Sequence, residues 1–424
     1  MAQLTDDCFA FSGPLLPLAQ MERLIADRVV PVTETEQVGL REAPGRVLAT
    51  DIAAPLDLPP FDNSAVDGYA VRHADLEPAR ETRLLVVDRV AAGHAATQPL
   101  LPGQAIRIFT GAPMPEGADT VFMQEDCRVE DGAVVVPPGL ERGANCRFAG
   151  EDVRSGHIAL PAGRRLAAQH IALAAALGFT TLPVRRCVRV ALFSTGDEIV
   201  EPGGLRPPTA IYDANRYLLT GLLERLGAQV TDLGILVDEP EPLGAAIARA
   251  AATHDLVLTS GGVSTGEADH VRAAVERIGR LIFWRVAIKP GRPVAMGVIP
   301  AGAAANAAAF IGLPGNPAAV FVTFVRVVRP LLLTLAGALP EPLVPLPVRA
   351  GFGYRKKKGR REYVRVALRR GENGDIEAVK HRQEGAGVIT SLTDTDGLVE
   401  LEEERTSVEP GAIVGFLSYA ALGA

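Results

Sequence analysis

Three short segments carry residue types that could do chemistry. They are Ser194-Thr195-Gly196-Asp197-Glu198, Ser260-Gly261-Gly262-Val263-Ser264-Thr265-Gly266-Glu267-Ala268-Asp269 and Gly312-Leu313-Pro314-Gly315-Asn316-Pro317. Glycines let the backbone approach a ligand closely, and the free N–H groups at a following helix start attract anions. The second segment lacks the closing Gly-Lys-Ser/Thr of a Walker A loop and is not G-x-G-x-x-G. A tight strand–helix turn explains one such segment; three together favour a phosphate-binding edge. Asp197, Glu198, Asp213, Asp238, Glu267 and Asp269 accompany them. Carboxylates beside phosphates suit Mg²⁺, a hard cation that takes oxygen ligands. Helix capping is the alternative, and for Asp269 it stays open.

Cations follow. Lys289-Pro290-Gly291-Arg292 offers two bases in a turn, and the stretch Tyr354–Arg370 is basic throughout except for Glu362. The basic run reads as a solvated strand face or as a surface that neutralises a small polyanion. Tyr354 and Tyr363 are its only stacking partners and the chain carries a net charge of −7, so nucleic acid is not expected as a ligand. Asp62, Asn63, Ser64 and Asp67 crowd into one turn, which reads first as a capped turn and second as a site; Thr110-Gly111-Ala112-Pro113 is equally two-sided. The histidines are scattered, with no H-x-x-x-H and no G-x-S-x-G, which disfavours zinc hydrolysis and a serine triad. From the residues alone the chemistry is Mg²⁺-assisted phosphate handling.

The elements that must hold these segments are legible in outline. Val188–Phe193, Gln229–Ile235, Leu256–Thr259, Ile282–Ala287, Val294–Val298 and Ala308–Ile311 are short apolar strands. Asn215–Leu226, Leu243–Ala252, Asp269–Ile278 and Pro317–Leu335 read as the helices between them. The alternation predicts a doubly wound α/β domain with a parallel sheet covered on both faces. Ligands of such sheets sit at the carboxyl ends of the strands, which is where the three segments fall. Before it, a helix over 15–30 precedes short strands bounded by Gly and Pro, such as Arg83–Val90 and Ala105–Phe109. After a proline-rich linker at 340–347, alternating stretches including Glu362–Leu368 and Leu398–Leu401 predict a small barrel-like β domain.

The divisions expected are an N-terminal region at 1–182, a central α/β domain at 183–338 and a C-terminal β domain at 339–424. Within the first, a mixed part (about 1–45 and 147–182) flanks a β-rich module at about 46–146. At 424 residues, 48% apolar and 22% charged, the chain suits several folded cores. Four dispersed cysteines without a C-x-x-C pair fit a reducing cytoplasm. No signal peptide is expected, and the apolar stretches at 166–177 and 318–339 contain polar residues or proline and read as buried helices rather than membrane spans.

The string Phe61-Asp62-Asn63-Ser64-Ala65-Val66-Asp67-Gly68-Tyr69-Ala70 resembles the MoeA family, which includes the E domain of gephyrin. The resemblance continues in family order through Thr110–Pro113, Gly150-Glu151-Asp152, Phe193–Glu198, Ile211–Asn215, Ser260–Asp269, Ala287–Gly291 and Gly312–Pro317. It implies a molybdopterin molybdenumtransferase: insertion of molybdate into adenylylated molybdopterin, with Mg²⁺-dependent release of AMP. It also implies a homodimer, exchange with the molybdopterin adenylyltransferase, and enzymes that accept the finished cofactor. Adenylyltransferase-like activity and a scaffold role are the alternatives. By motif it implies catalytic roles for Asp67, Thr110, Asp152, Glu198, Lys289 and Arg365, with Glu198, Asp67 and Asp152 as metal residues. Substrate binding would fall to Ser194, Thr195, Gly196, Asp238, Ser260, Gly261, Gly262, Val263, Ser264, Gly266, Asp269, Arg292, Pro314, Gly315, Asn316 and Pro317. Two departures stand out: Arg285 where the family often has lysine, and Ala386 where it often has serine.

Overall fold

The computed structural model describes residues 15–262, 270–300, 307–371 and 374–423. Val263, Ser264, Gly266 and Asp269, expected to bind substrate, lie outside the described residues.

The centre of the chain is a six-stranded sheet. Its order is Gln229–Leu236, Arg189–Thr195, Leu256–Ser260, Ala308–Leu313, Pro293–Ile299, Arg280–Arg285. The first four run parallel. Pro293–Ile299 runs antiparallel to both its neighbours, Ala308–Leu313 and Arg280–Arg285, which corrects the all-parallel expectation. The reason is chain length: the stretches between these strands, at 286–292 and 300–307, are too few residues for the helix that a parallel crossover needs. Apolar clusters lie on both faces. Leu192, Leu258 and Ile311 pack with Leu219, Leu223 and the helical stretch Pro317–Leu335 on one side. Phe193, Val257 and Phe310 pack with Leu243, Ile247, Val271 and Val275 on the other. The Pro317–Leu335 stretch is long and apolar enough to cross a membrane, but 83% of its most apolar window is buried inside the protein. It serves as a core helix, with a π turn over Phe324–Val328.

The C-terminal domain is a closed β-barrel. Leu346–Ala350, Arg361–Arg370, Ile376–Lys380, Gly397–Leu401 and Ile413–Ser418 form it. Closure depends on the long Arg361–Arg370 strand. Its second half pairs with Ile376–Lys380 and its first half with Gly397–Leu401. The same strand starts beside the central domain: Ile288 and Lys289 run parallel to Arg361 and Glu362, and the Arg361 N–H donates to the Ala287 carbonyl at 2.8 Å. The two domains are therefore joined by strand pairing as well as by the linker.

The N-terminal region holds a second six-stranded sheet, ordered Thr120–Met123, Gly68–Val71, Gln104–Ile108, Thr82–Val90, Ala133–Val136, Arg128–Glu130. Beside it, Thr35–Gly39 pairs with Thr181–Arg185, and Ile52–Ala53 with Ile158–Leu160, over a small core that includes Leu48, Leu166 and Ala174.

Candidate functional site

The carboxyl ends of the parallel strands converge as the doubly wound pattern requires. The strand order reverses around Arg189–Thr195, which has Gln229–Leu236 on one side and Leu256–Ser260 on the other. Such a reversal leaves a crevice at the strand ends. Here it is bounded by Thr195-Gly196, Leu236–Asp238 and Ser260–Gly262. The Thr195 hydroxyl donates to the Leu236 carbonyl at 3.2 Å. Asn215, at the start of the next helix, donates through Nδ2 to Ser260 Oγ at 2.8 Å and to the Gly315 carbonyl at 2.7 Å. It thereby ties the second strand end to the third.

Two glycine positions are required by geometry. Gly262 has φ +66°, and a Cβ there would stand 2.4 Å from Val271 Cγ2. Gly196 has φ +137°, and a Cβ there would stand 2.6 Å from Glu198 Oε2. The missing side chain at 196 leaves room for the Glu198 carboxylate beside the strand end.

Glu198 is exposed, and no described residue bonds to or ion-pairs with its carboxylate. Two acceptors at this edge are buried without a donor: Asp238 Oδ1 and Asn215 Oδ1. A buried carboxylate oxygen without a partner is costly, and a bound cation or donor relieves the cost. Among the described residues no three His, Cys, Asp or Glu cluster as a metal cage. Mg²⁺ is usually held by one or two carboxylates together with substrate phosphates. Glu198 and Asp238 fit that donor set. Asp213 does not contribute. It is buried against Arg216, which it meets at 3.0 Å and which also reaches Asp232 at 2.6 Å. This buried ion pair anchors the helix Asn215–Arg225.

Beyond the third strand end a cleft of about 250 Å³ opens between the central domain and the barrel. Lys289, Pro314 and Asn316 line it from one side, and Tyr354, Arg365, Lys380 and Glu384 from the other. Lys289 faces the barrel because its backbone pairs with Glu362. Its Nζ lies 3.2 Å from Glu362 Oε2 and 5.7 Å from the centre of the Tyr354 ring. Glu362 also accepts from the Tyr354 hydroxyl at 2.8 Å and Arg360 Nε at 2.6 Å. Burial alone would raise the Glu362 carboxyl, but these donors hold it below its ordinary value near 4.5. Arg365 is 5% exposed. It donates to Ser391 Oγ and to the Gly385 carbonyl, both at 3.1 Å. Burial pulls its guanidinium below the usual arginine value, yet arginine stays charged in proteins. Ala386 also lines the cleft, and its carbonyl accepts the Ala318 N–H at 2.9 Å, just after Pro317 opens the helix.

The ion pairs around Glu362 give a pH prediction. A carboxyl with a lowered pKa stabilises the fold fully above its unfolded value and loses that contribution as pH falls through the folded value. Glu362→Gln is expected to cost about 3 kcal/mol near neutral pH, because Lys289 and Arg360 lose a buried partner. The gap between wild type and variant should shrink as pH falls from about 4.5, where the carboxyl of the unfolded chain takes up its proton, through the lower value of the folded carboxyl. Urea midpoints of both proteins across that range measure it.

The remaining expected residues sit elsewhere. Asp67 Oδ1 accepts the Thr110 N–H and the Thr110 hydroxyl, each at 2.8 Å, in the N-terminal sheet. The Thr110 N–H and hydroxyl hold Asp67 below its ordinary value, with Arg107 assisting. Arg107 itself lies between rings, 4.9 Å from the centre of Tyr69 and 5.0 Å from that of Phe109. Asn63 and Ser64 serve their own turn, donating to the Phe61 and Val66 carbonyls, whereas Asp62 reaches across to another loop and accepts the Ala149 N–H at 2.8 Å. Asp152 is exposed on the neighbouring loop. Among the described residues, no hydrogen bond or ion pair links Asp67, Thr110 or Asp152 to the cleft. Arg292 lines a separate basic cleft with Arg285.

Sequence reasoning missed Tyr354, Lys380 and Glu384 as cleft residues, and Glu362 as the buried carboxylate that Lys289 and Tyr354 bond. The one available signal was Glu362 as the lone acid in a basic run. Within that run Arg360 pairs with it, whereas Arg361 pairs with Glu400 and Glu403 and Lys358 with Glu404.

Comparison with known proteins accounts for most of the chain. The MoeA N-terminal region (domain I and II) matches residues 16–178, a probable molybdopterin binding domain matches 191–334, and the MoeA C-terminal region (domain IV) matches 347–419. A molybdopterin molybdenumtransferase of Haemophilus influenzae is 37% identical over 402 residues, covering 94% of this chain and 98% of that protein. One from Bacillus subtilis is 33% identical over 393 residues, covering 91% and 90%. The crystal structure of a molybdopterin biosynthesis MoeA protein from Pyrococcus horikoshii superposes with a TM-score of 0.79 at 30% identity, covering 96% of this chain and all of that one.

Proposed function

Since this chain belongs to the MoeA family, we propose that it inserts molybdenum into molybdopterin, taking molybdate and adenylylated molybdopterin as substrates and releasing AMP. The observation that carries this reading is the cleft at the third strand end. There a lysine and a buried arginine face one another across the joint of two domains, beside a glycine-rich sheet edge.

Each group has a task in that reaction. Ser194, Thr195, Gly196, Ser260, Gly261 and Gly262 shape the crevice, whose backbone N–H groups receive phosphate oxygens. Glu198 and Asp238 would hold Mg²⁺; when bound, the ion neutralises charge on the phosphates. Arg365 and Lys289 hold the molybdate oxyanion and oppose the charge that develops as water adds across the anhydride and AMP leaves. Pro314 and Pro317 fix the shape of the third loop, with Gly315 and Asn316 between them. Asp67, Thr110 and Asp152 would serve the cleft of a neighbouring subunit in a homodimer. The cytoplasm is the compartment that suits these substrates.

The test is AMP release from purified protein with adenylylated molybdopterin, with and without Mg²⁺, and with molybdate or tungstate in turn. Release that needs both Mg²⁺ and the oxyanion is expected. Tight substrate binding without release under any condition would overturn the reading.

A further inference from the structure

A second cleft of about 520 Å³ lies on the far side of the Arg285–Arg292 turn. Arg285 and Arg292 line it from the central domain, Lys357, Lys358 and Arg360 from the barrel, and Leu15 at one end. Every charged residue in its wall is basic, in a chain whose net charge is −7. Among the described residues, the side chains of Arg285, Arg292 and Lys357 have no ion pair or hydrogen bond. Lys358 meets Glu404 at 2.7 Å, but both are largely exposed, so that pair is well screened. Arg360 is committed to Glu362 at 2.6 Å. Gathering like charges on one surface is unfavourable unless something of opposite sign arrives.

The form of the cleft says what arrives. Small-anion sites are enclosed and hold their ligand on a few rigid, buried donors. Arg365 in the first cleft is such a donor, at 5% exposed. Here Arg285, Lys357 and Lys358 are exposed, and lysines on flexible stems act as point charges rather than fixed forks. Exposed charges of one sign steer and orient a macromolecular partner. We propose that this cleft docks an acidic segment of a protein partner. Nothing in that docking requires the reaction proposed for the first cleft.

The probe is a fluorescein-labelled twelve-residue peptide of alternating Glu and Ala, read by fluorescence anisotropy on the full chain without substrate. Binding is expected to weaken roughly tenfold between about 50 mM and about 200 mM salt. The double variant Lys357→Glu/Lys358→Glu should bind at least tenfold more weakly than wild type at low salt, with unchanged Tm and unchanged AMP release. Equal peptide affinity in wild type and double variant would overturn the proposal. Tripolyphosphate that displaces the peptide at far lower concentration would give the cleft to a small polyanion and overturn it too. A rise in peptide affinity on Asp6→Asn/Asp7→Asn would assign the cleft to this chain's own acidic start instead. A parallel loss of AMP release in the double variant would make the cleft part of the substrate site, which also overturns a partner.

Discussion

Glu198→Ala is expected to lower AMP release by a factor on the order of 10³ while leaving Tm within a degree or so of wild type. The two halves of that expectation have separate causes. Glu198 is exposed and makes no hydrogen bond or ion pair among the described residues, so its removal leaves no partner stranded. A surface change of that kind usually alters stability by less than about 0.5 kcal/mol. Yet the carboxylate stands at the reversal of strand order, over a glycine that leaves it room, near the unpaired Asp238 oxygen. Its value is to the ligand alone. Glu198→Gln should recover little, since an amide keeps the shape but not the charge. Steady-state kinetics and a melting curve on the same preparations decide the matter. Near-wild-type turnover in either variant would remove Glu198 from the reaction.

Arg365→Ala should reduce kcat/KM for molybdate about 10²-fold or more. The guanidinium is fixed on the barrel strand by Ser391 and the Gly385 carbonyl, and it lines the cleft opposite Lys289. Arg365→Lys is expected to recover only part of the loss. A lysine cannot bond Ser391 and Gly385 while also presenting a planar fork to an oxyanion. This variant separates charge from geometry: full recovery by lysine would mean that only the charge matters. Kinetics with molybdate as the varied substrate measure both.

Much of this site could be read before any coordinates. The three segments after apolar runs lie at strand ends because a continuous apolar run followed by glycine and an acid has few other places in an α/β sheet. Local pairing was harder. Asp213 looked like a metal carboxylate, and only its buried neighbour Arg216, three residues on, shows it to be structural. The reversed direction of Pro293–Ile299 depends on connection length, which the apolar pattern of that strand does not encode. Contacts between distant segments were hardest. Nothing local in Lys289 indicates that it runs beside Glu362, and nothing in Tyr354 indicates that its hydroxyl meets the same carboxylate.

The short strand pairing of Ile288 and Lys289 with Arg361 and Glu362 bears on how such a site diverges. The first cleft is a seam: its walls belong to two domains, and the packing beneath it is partly shared, with Tyr363, Leu398 and Leu417 of the barrel joining the central core while Val348, Val366 and Phe416 fill the barrel's own. Substitutions at the seam, including the barrel loop that carries Gln383, Glu384 and Ala386, can reshape the walls without disturbing either core. Loops on a rigid scaffold tolerate such change best. Ala386 occupies a position of this kind. A lineage could retune which oxyanion it accepts by editing the seam, while each half keeps the packing that makes it fold.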